Sequence, residues 1–252
     1  FEIVFEKMVD HLIGDTGKLA SLKNQRDGKL IDHIYLDRSL IGKNSNIYYI
    51  GDSKYYDNDS SVEGVPLYKQ FTYARNAIQY NIDEYYFKHK DNPNGIRYRD
   101  SETEGYNVTP NFFIRPKLES NSLNFDTPSF SVSEDQPKSN KHFEDRLFDR
   151  DTLLLREYKI NLIFLIAAYG AYEDHWATSL RSSIREDMIE FLNSTYNFFK
   201  IEPMDIPMYS QHGQVGSWPF TKYFHTKITG KAYKESEDSK EIILAFEKNT
   251  KQ

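Results

Sequence analysis

The chain contains no cysteine, which excludes disulfide scaffolds, thiol catalysis and cysteine-ligated zinc. Long apolar runs are missing too: no stretch of 18 apolar residues exists, and the longest is interrupted by Tyr158 and Asn161. The sequence therefore predicts no transmembrane helix and no membrane partner. A basic excess is also absent, with 38 Asp and Glu against 32 Lys and Arg and a net charge of −6. That balance argues against a generic, charge-driven nucleic-acid binder. It still admits an enzyme acting on nucleic acid, because carboxylates that hold metal ions add negative charge. No signal peptide is visible, so a cytoplasmic location is expected. The chain begins at Phe1 within an amphipathic pattern and reads as a piece of a longer protein.

What the sequence does contain is a globular composition: 252 residues, 38% hydrophobic and 28% charged, with 19 Tyr and 17 Phe. This length supports one large or two small domains and a sizeable core. Phe1, Val4, Phe5, Met8, Val9 and Leu12 recur at helical spacing, which predicts a one-faced helix over residues 1–14. Leu30–Ile41 roughly alternates, Gly42–Asn46 supplies turn residues, and Ile47–Tyr56 has strand propensity. Together they predict a hairpin. A helix is expected from Pro66 to about Tyr80, and a short strand over Asn111–Arg115. Residues 116–141 are rich in Ser, Asn, Pro and Asp and read as a long mobile loop. Phe143–Tyr158 reads as mostly helical, and Ile160–Tyr169 as a strand buried on both faces. A helix over residues 180–199 and a strand over Ile242–Phe246 complete the pattern. The expected fold class is α/β or α+β, a mixed central sheet flanked by helices. A core over residues 1–170 would carry a C-terminal extension over 171–252.

The chemistry concentrates between Asp32 and Gln70. Side chains at i and i+2 of a strand share a face, so Asp52 and Lys54 should project together from the end of their strand. Asp32 opens the preceding strand and can meet them across the hairpin. Two carboxylates beside a lysine can hold a hard divalent cation and stabilise charge on a phosphate. An acid-any-Lys triplet occurs four times, at Asp27, Asp52, Glu157 and Asp238. The first and last sit in turn-like sequence, and the third is placed at a helix-to-strand junction. Only the triplet at Asp52 ends an apolar strand, follows an acid by a hairpin's length and precedes a helix opening with Lys69-Gln70. Asp37 is the alternative to Asp32 as second acid.

These motifs resemble the PD-(D/E)XK nuclease superfamily, and within it the restriction nucleases of the McrC and LlaJI type. The matching features are Phe5-Glu6-Lys7, Asp32 ahead of a strand, Gly51-Asp52-Ser53-Lys54-Tyr55-Tyr56, and Lys69-Gln70 with Tyr73 in the next helix. Phe148-Asp149-Arg150-Asp151-Thr152-Leu153 is similar as well. The resemblance spans roughly residues 1–170, and implies a restriction-endonuclease-like core that cleaves DNA with Mg2+, Mn2+ substituting. Carried over, Asp32 and Asp52 would be metal ligands and Lys54 the catalytic cation. Glu6 would orient a ligand or a metal-bound water, with Glu2 as its alternative. Gln70 would shape the site or touch DNA. Tyr73 follows Gln70 by three residues where the family has four. Implied partners are double-stranded DNA and an McrB-like AAA+ NTPase that licenses cleavage, with self-association of the chain also open. The expected setting is a bacterial restriction or phage-defence system. RNA cleavage by the same fold, or a non-catalytic DNA-binding scaffold, are the rival readings.

Outside this stretch, Lys69, Tyr73 and Arg150 are further candidate nucleic-acid contacts. Residues 206–234 contain no acid and interleave Lys222, Lys227, Lys231 and Lys234 with aromatics. Lys222 and Lys227 are the candidates there for gripping a nucleic-acid backbone. Asp149 and Asp151 read as helix caps, and Glu173-Asp174-His175 as a solvated loop.

Overall fold

The computed structural model describes residues 1–15, 17, 19–23, 31–42, 46–55, 65–82, 109–118, 130–132, 153–171, 174–202, 231–234 and 241–248. Arg150, Lys222 and Lys227 lie outside these residues, as do Asp149 and Asp151. The chain opens with α1 (Glu2–Ile13) and the short α2 (Ala20–Lys23). The expected hairpin follows: β1 (His33–Arg38) pairs antiparallel with β2 (Asn46–Ser53), Ile34 opposite Ile50. Next come α3 (Val65–Ile82) and β3 (Thr109–Lys117), which lies parallel to β2 with Asp52 beside Phe113.

Alternation along the strands divides the core into two layers. Tyr35, Ile47, Tyr49, Phe112 and Ile114 face α1 and pack with its Phe5, Met8, Val9 and Leu12. Their neighbours Ile34, Tyr48 and Ile50 pack instead against Ala74 and Ala77 of α3. Phe113 and Phe71 continue that second layer. Every residue of β2 after Asn46 is buried, as expected of a strand covered on both faces. β2 is therefore the element whose carboxyl end is held most rigidly.

Gly51 is required by packing rather than by backbone conformation. A Cβ there would lie 2.1 Å from the Phe112 ring, and Phe112 is wholly buried between Tyr35 and Tyr158. Gly51→Ala is expected to destabilise the protein by about 1–3 kcal/mol through overpacking, seen as a lowered thermal midpoint. An unchanged midpoint would mean that the Phe112 ring yields without cost.

The second half departs from the sequence expectation. Leu153–Asn161 is a strand, β5, parallel to β3, and Leu162–Gly170 is a helix, α4. Helical Phe143–Tyr158 and an extended Ile160–Tyr169 are both corrected over the described residues. The Asn161 side chain accepts a hydrogen bond from the Ile163 amide, 3.0 Å, and caps α4. Leu162, Leu165 and Ala168 then fall on one buried face while Ile166 and Tyr169 are exposed. Glu157 thus belongs to a strand, not to a junction. The loop expected over 116–141 is interrupted by β4 (Phe130–Val132), an edge strand antiparallel to β5, whose Phe130 stacks on Tyr158. The sheet order is β1-β2-β3-β5-β4, a mixed sheet of the expected α+β type.

α5 (Asp174–Thr195) is longer at its start and shorter at its end than expected, and Asp174-His175 belongs to it rather than to a loop. Its Leu180, Ile184, Met188 and Leu192 join the core layer of α1. A bidentate pair joins Arg156 of β5 to Asp187, 2.8 and 2.7 Å. Tyr196–Ile201 forms β6, which pairs with β8 (Ile242–Glu247), and β8 also pairs with β7 (Lys231–Lys234). No helix of the described residues is long and apolar enough to cross a membrane.

Candidate active site

The carboxyl end of β2 lies beside the middle of the parallel strand β3, with Ser53 opposite Ile114, and β1 begins beside the end of β2. Asp32 immediately precedes β1, and Asp52 is the penultimate residue of β2. Their parity puts both on the α3 face. The carboxyl groups of Asp32 and Asp52 are hydrogen-bonded to each other. Asp32 Oδ2 also accepts the Ser53 amide at 3.2 Å. Lys54 lies just past β2, where its amide extends the pairing to Ile114 O, 2.9 Å. Its Nζ is 2.5 Å from Asp52 Oδ2, with only 16% and 5% of the two side chains exposed. This is a sheltered ion pair, not a solvated one at a strand end.

The electrostatics follow from that crowding. Burial, then the adjoining Asp52 and the charge of Glu6, push the Asp32 carboxyl up to about 9, against a weaker opposing bond from the Ser53 amide. Two adjoining carboxylates, one buried and one half-buried, cannot both ionise cheaply without a cation. Glu6, on the first turns of α1, is half-buried and near enough to act on Asp32. Glu2 is exposed one turn earlier. Asp37 pairs with Ile47 at the opposite end of the hairpin and accepts the Arg38 amide. It is not part of the cluster.

α3 supplies the remaining wall. Gln70 is wholly buried, and its amide nitrogen donates to Ile50 O at 2.9 Å and to Asn111 Oδ1 at 3.2 Å. It ties α3 to the paired residues Ile50 of β2 and Asn111 of β3, and presents no surface to a nucleic acid. Lys69 is exposed beside it. Tyr73, one turn on, is half-exposed. Burial and the charges of Asp52 and Asp32 raise its hydroxyl pKa, with Lys54 opposing. Its ring packs against the Ile34, Tyr48 and Ile50 layer, within range of the charges of both acids.

Among the described residues no three His, Asp or Glu side chains converge on one point as a complete ligand set. Mg2+ does not need one, since it keeps several waters and uses one or two carboxylates plus substrate phosphates. The paired carboxyls of Asp32 and Asp52, all-oxygen donors with a proton in excess, fit such an ion. His175, by contrast, rests against Trp176, ring centroids 4.3 Å apart.

Three polar residues beneath the site were not singled out from sequence: Asp10, His33 and Ser53. The available signal was that His33 and Ser53 each follow one of the two acids. Comparison with family models, with curated proteins and with solved structures gave no match to this chain.

Proposed function

We propose that the protein is a metal-dependent nuclease with a restriction-endonuclease-like core, hydrolysing DNA phosphodiester bonds at the Asp32–Asp52–Lys54 cluster. The observation that carries this reading is the meeting of a buried and a half-buried carboxyl group with a lysine ammonium 2.5 Å from one of them. Phosphodiester hydrolysis needs a held divalent ion, an activated water and a cation near the phosphorus, and these side chains are suited to those tasks. Asp32 and Asp52 would hold Mg2+ or Mn2+, with Glu6 at the margin. When bound, the ion would supply Lewis-acid polarisation of the phosphate and a more acidic water.

The chain's own residues do the rest. Lys54 leans on Asp52 and offers its remaining protons to a phosphate oxygen or to the attacking water, stabilising the negative charge that grows in the transition state. The Tyr73 hydroxyl, within range of the charges of both acids, can donate to a neighbouring phosphate oxygen. Gln70 keeps β2 and β3 in register. The NTPase partner and the restriction setting rest on the family resemblance and belong to the same proposal.

Calorimetric titration with Mn2+ tests the metal site directly. Wild type is expected to take up the ion, and Asp32→Asn and Asp52→Asn each to weaken uptake at least about tenfold. Absence of uptake by wild type would favour the non-catalytic scaffold instead.

A further inference from the structure

We infer that Asp10, His33 and Ser53 form a clamp that holds Asp32 in place, making His33 a positioning residue of the proposed nuclease site. The functional part of this inference rests on the nuclease reading; the clamp itself does not.

The backbone leaves a need for such a device. The β1–β2 ladder ends at His33 opposite Gly51, so Asp32 lies one residue beyond the last paired position. Strand pairing alone does not fix its side chain. His33 and Ser53, the residues following the two acids, point to the opposite face and meet there: His33 Nε2 lies 2.6 Å from Ser53 Oγ. On its other side His33 Nδ1 is 3.4 Å from Asp10 Oδ1 of α1. Lys23 of α2 forms an ion pair with that same oxygen. From the far end of the chain of bonds, the Ser53 amide donates to Asp32 Oδ2 at 3.2 Å. Four separate segments are thus tied to one carboxylate.

Proton positions along the clamp follow from the donors present. Burial would push the Asp10 carboxyl up, but hydrogen bonds from His33 and Lys23 outweigh it and hold it below the usual range. An ionised Asp10 only accepts, so His33 carries a proton on Nδ1. On the other side of the ring, Nε2 and the Ser53 hydroxyl form the second bond of the clamp, 2.6 Å apart. Ser53, the residue whose amide donates to Asp32, is thereby anchored from below through its side chain. Gly14 makes room for the arrangement, since a Cβ there would fall 2.1 Å from Asp10 Oδ1. A merely satisfied core histidine would contribute stability without any specific effect at Asp32.

Amide hydrogen exchange on the metal-free full chain separates these roles. The Ser53 amide reports the bond to Asp32, and the Lys54 amide, bonded to Ile114 O, serves as internal reference. In His33→Ala, exchange at Ser53 is expected to rise at least about tenfold relative to Lys54, with His33→Gln recovering part of the protection. Unchanged protection at Ser53, or an equal rise at both amides, would overturn the clamp. Mn2+ affinity should fall about tenfold in His33→Ala, as for other residues that orient a ligand. Wild-type affinity in that variant would overturn the positioning role. Failure of wild type to bind Mn2+ would sink the nuclease reading alone, and exchange would still decide the clamp. If His33→Ala does not fold, Ser53→Ala, which retains the amide and loses only Oγ, is read by the same criteria.

Discussion

Asp32→Asn is expected to stabilise the metal-free protein at pH 8 and to flatten its dependence on pH. The sign follows from proton counting. Asp32 releases its proton near 3.8 when unfolded, whereas in the folded protein burial and Asp52 push it up to about 9. Between those values the native state holds a proton that the unfolded chain has lost, so stability falls as pH rises through the window and levels off above it. One pKa unit corresponds to about 1.4 kcal/mol. Even half of this displacement makes the effect on the order of 3 kcal/mol at pH 8. An asparagine amide reproduces the neutral acid: its oxygen can accept from Ser53 and its nitrogen can donate to Asp52. Thermal unfolding in a chelator at pH 5 and pH 8 checks this, with wild type losing stability between the two and Asp32→Asn losing far less. Mg2+ should restore wild type at pH 8 and leave the variant unmoved, because an ion held by Asp32 replaces the proton there. Equal slopes for the two proteins would show that Asp32 is not the group carrying the proton.

The hairpin that bears the acids was legible because two simple rules coincide there. A turn-rich Gly42–Asn46 separates an alternating segment from one of high strand propensity, and the period of two places Asp52 and Lys54 on one face. Both hold in the structure. Leu153–Gly170 was misread because an unbroken apolar run has no period to distinguish strand from helix. The boundary signal was Asn161 in the middle of the run, a helix cap that the sequence reading counted only as an interruption. β4 lay hidden in polar sequence because an edge strand of three residues is stabilised by the partner it finds, here Tyr158 and Ile160 of β5, and not by its own propensity. At the site, Gln70 was expected to shape the site or touch DNA and turns into the core, while Tyr73 three residues later is half-exposed. A helix rotates about 100° per residue, so three steps come close to one turn, and only the packing of α3 on β2 decides which residue faces the cleft. The clamp through Asp10 and His33 joins α1 to the far side of the hairpin. Nothing local in the sequence announces a contact across that distance.

Lys54→Ala is expected to produce the largest functional loss, about 10²–10³-fold in cleavage rate. Among the described residues the side chain is the cation paired with Asp52 at the end of β2, and it can stabilise charge that exists only in the transition state. Binding of uncleaved DNA should change far less, since a single phosphate contact among many contributes little to affinity. Lys54→Arg is not a neutral exchange, because a planar fork cannot occupy the position of a compact ammonium 2.5 Å from Asp52 without turning away from the reacting centre. Removing the lysine also leaves Asp52 buried without its partner, which costs stability; circular dichroism of each variant at the assay temperature controls for that.

The central claim is tested most directly by relaxation and linearisation of supercoiled plasmid in Mg2+, comparing wild type with Lys54→Ala and repeating both with the NTPase of the McrB kind expected as partner. Cutting by wild type that disappears with chelator and in Lys54→Ala is the expected result. Cutting by a folded Lys54→Ala protein at the wild-type rate would contradict the assignment of the site. Wild type that cuts neither plasmid nor RNA, alone or with the NTPase, would contradict the nuclease reading as a whole.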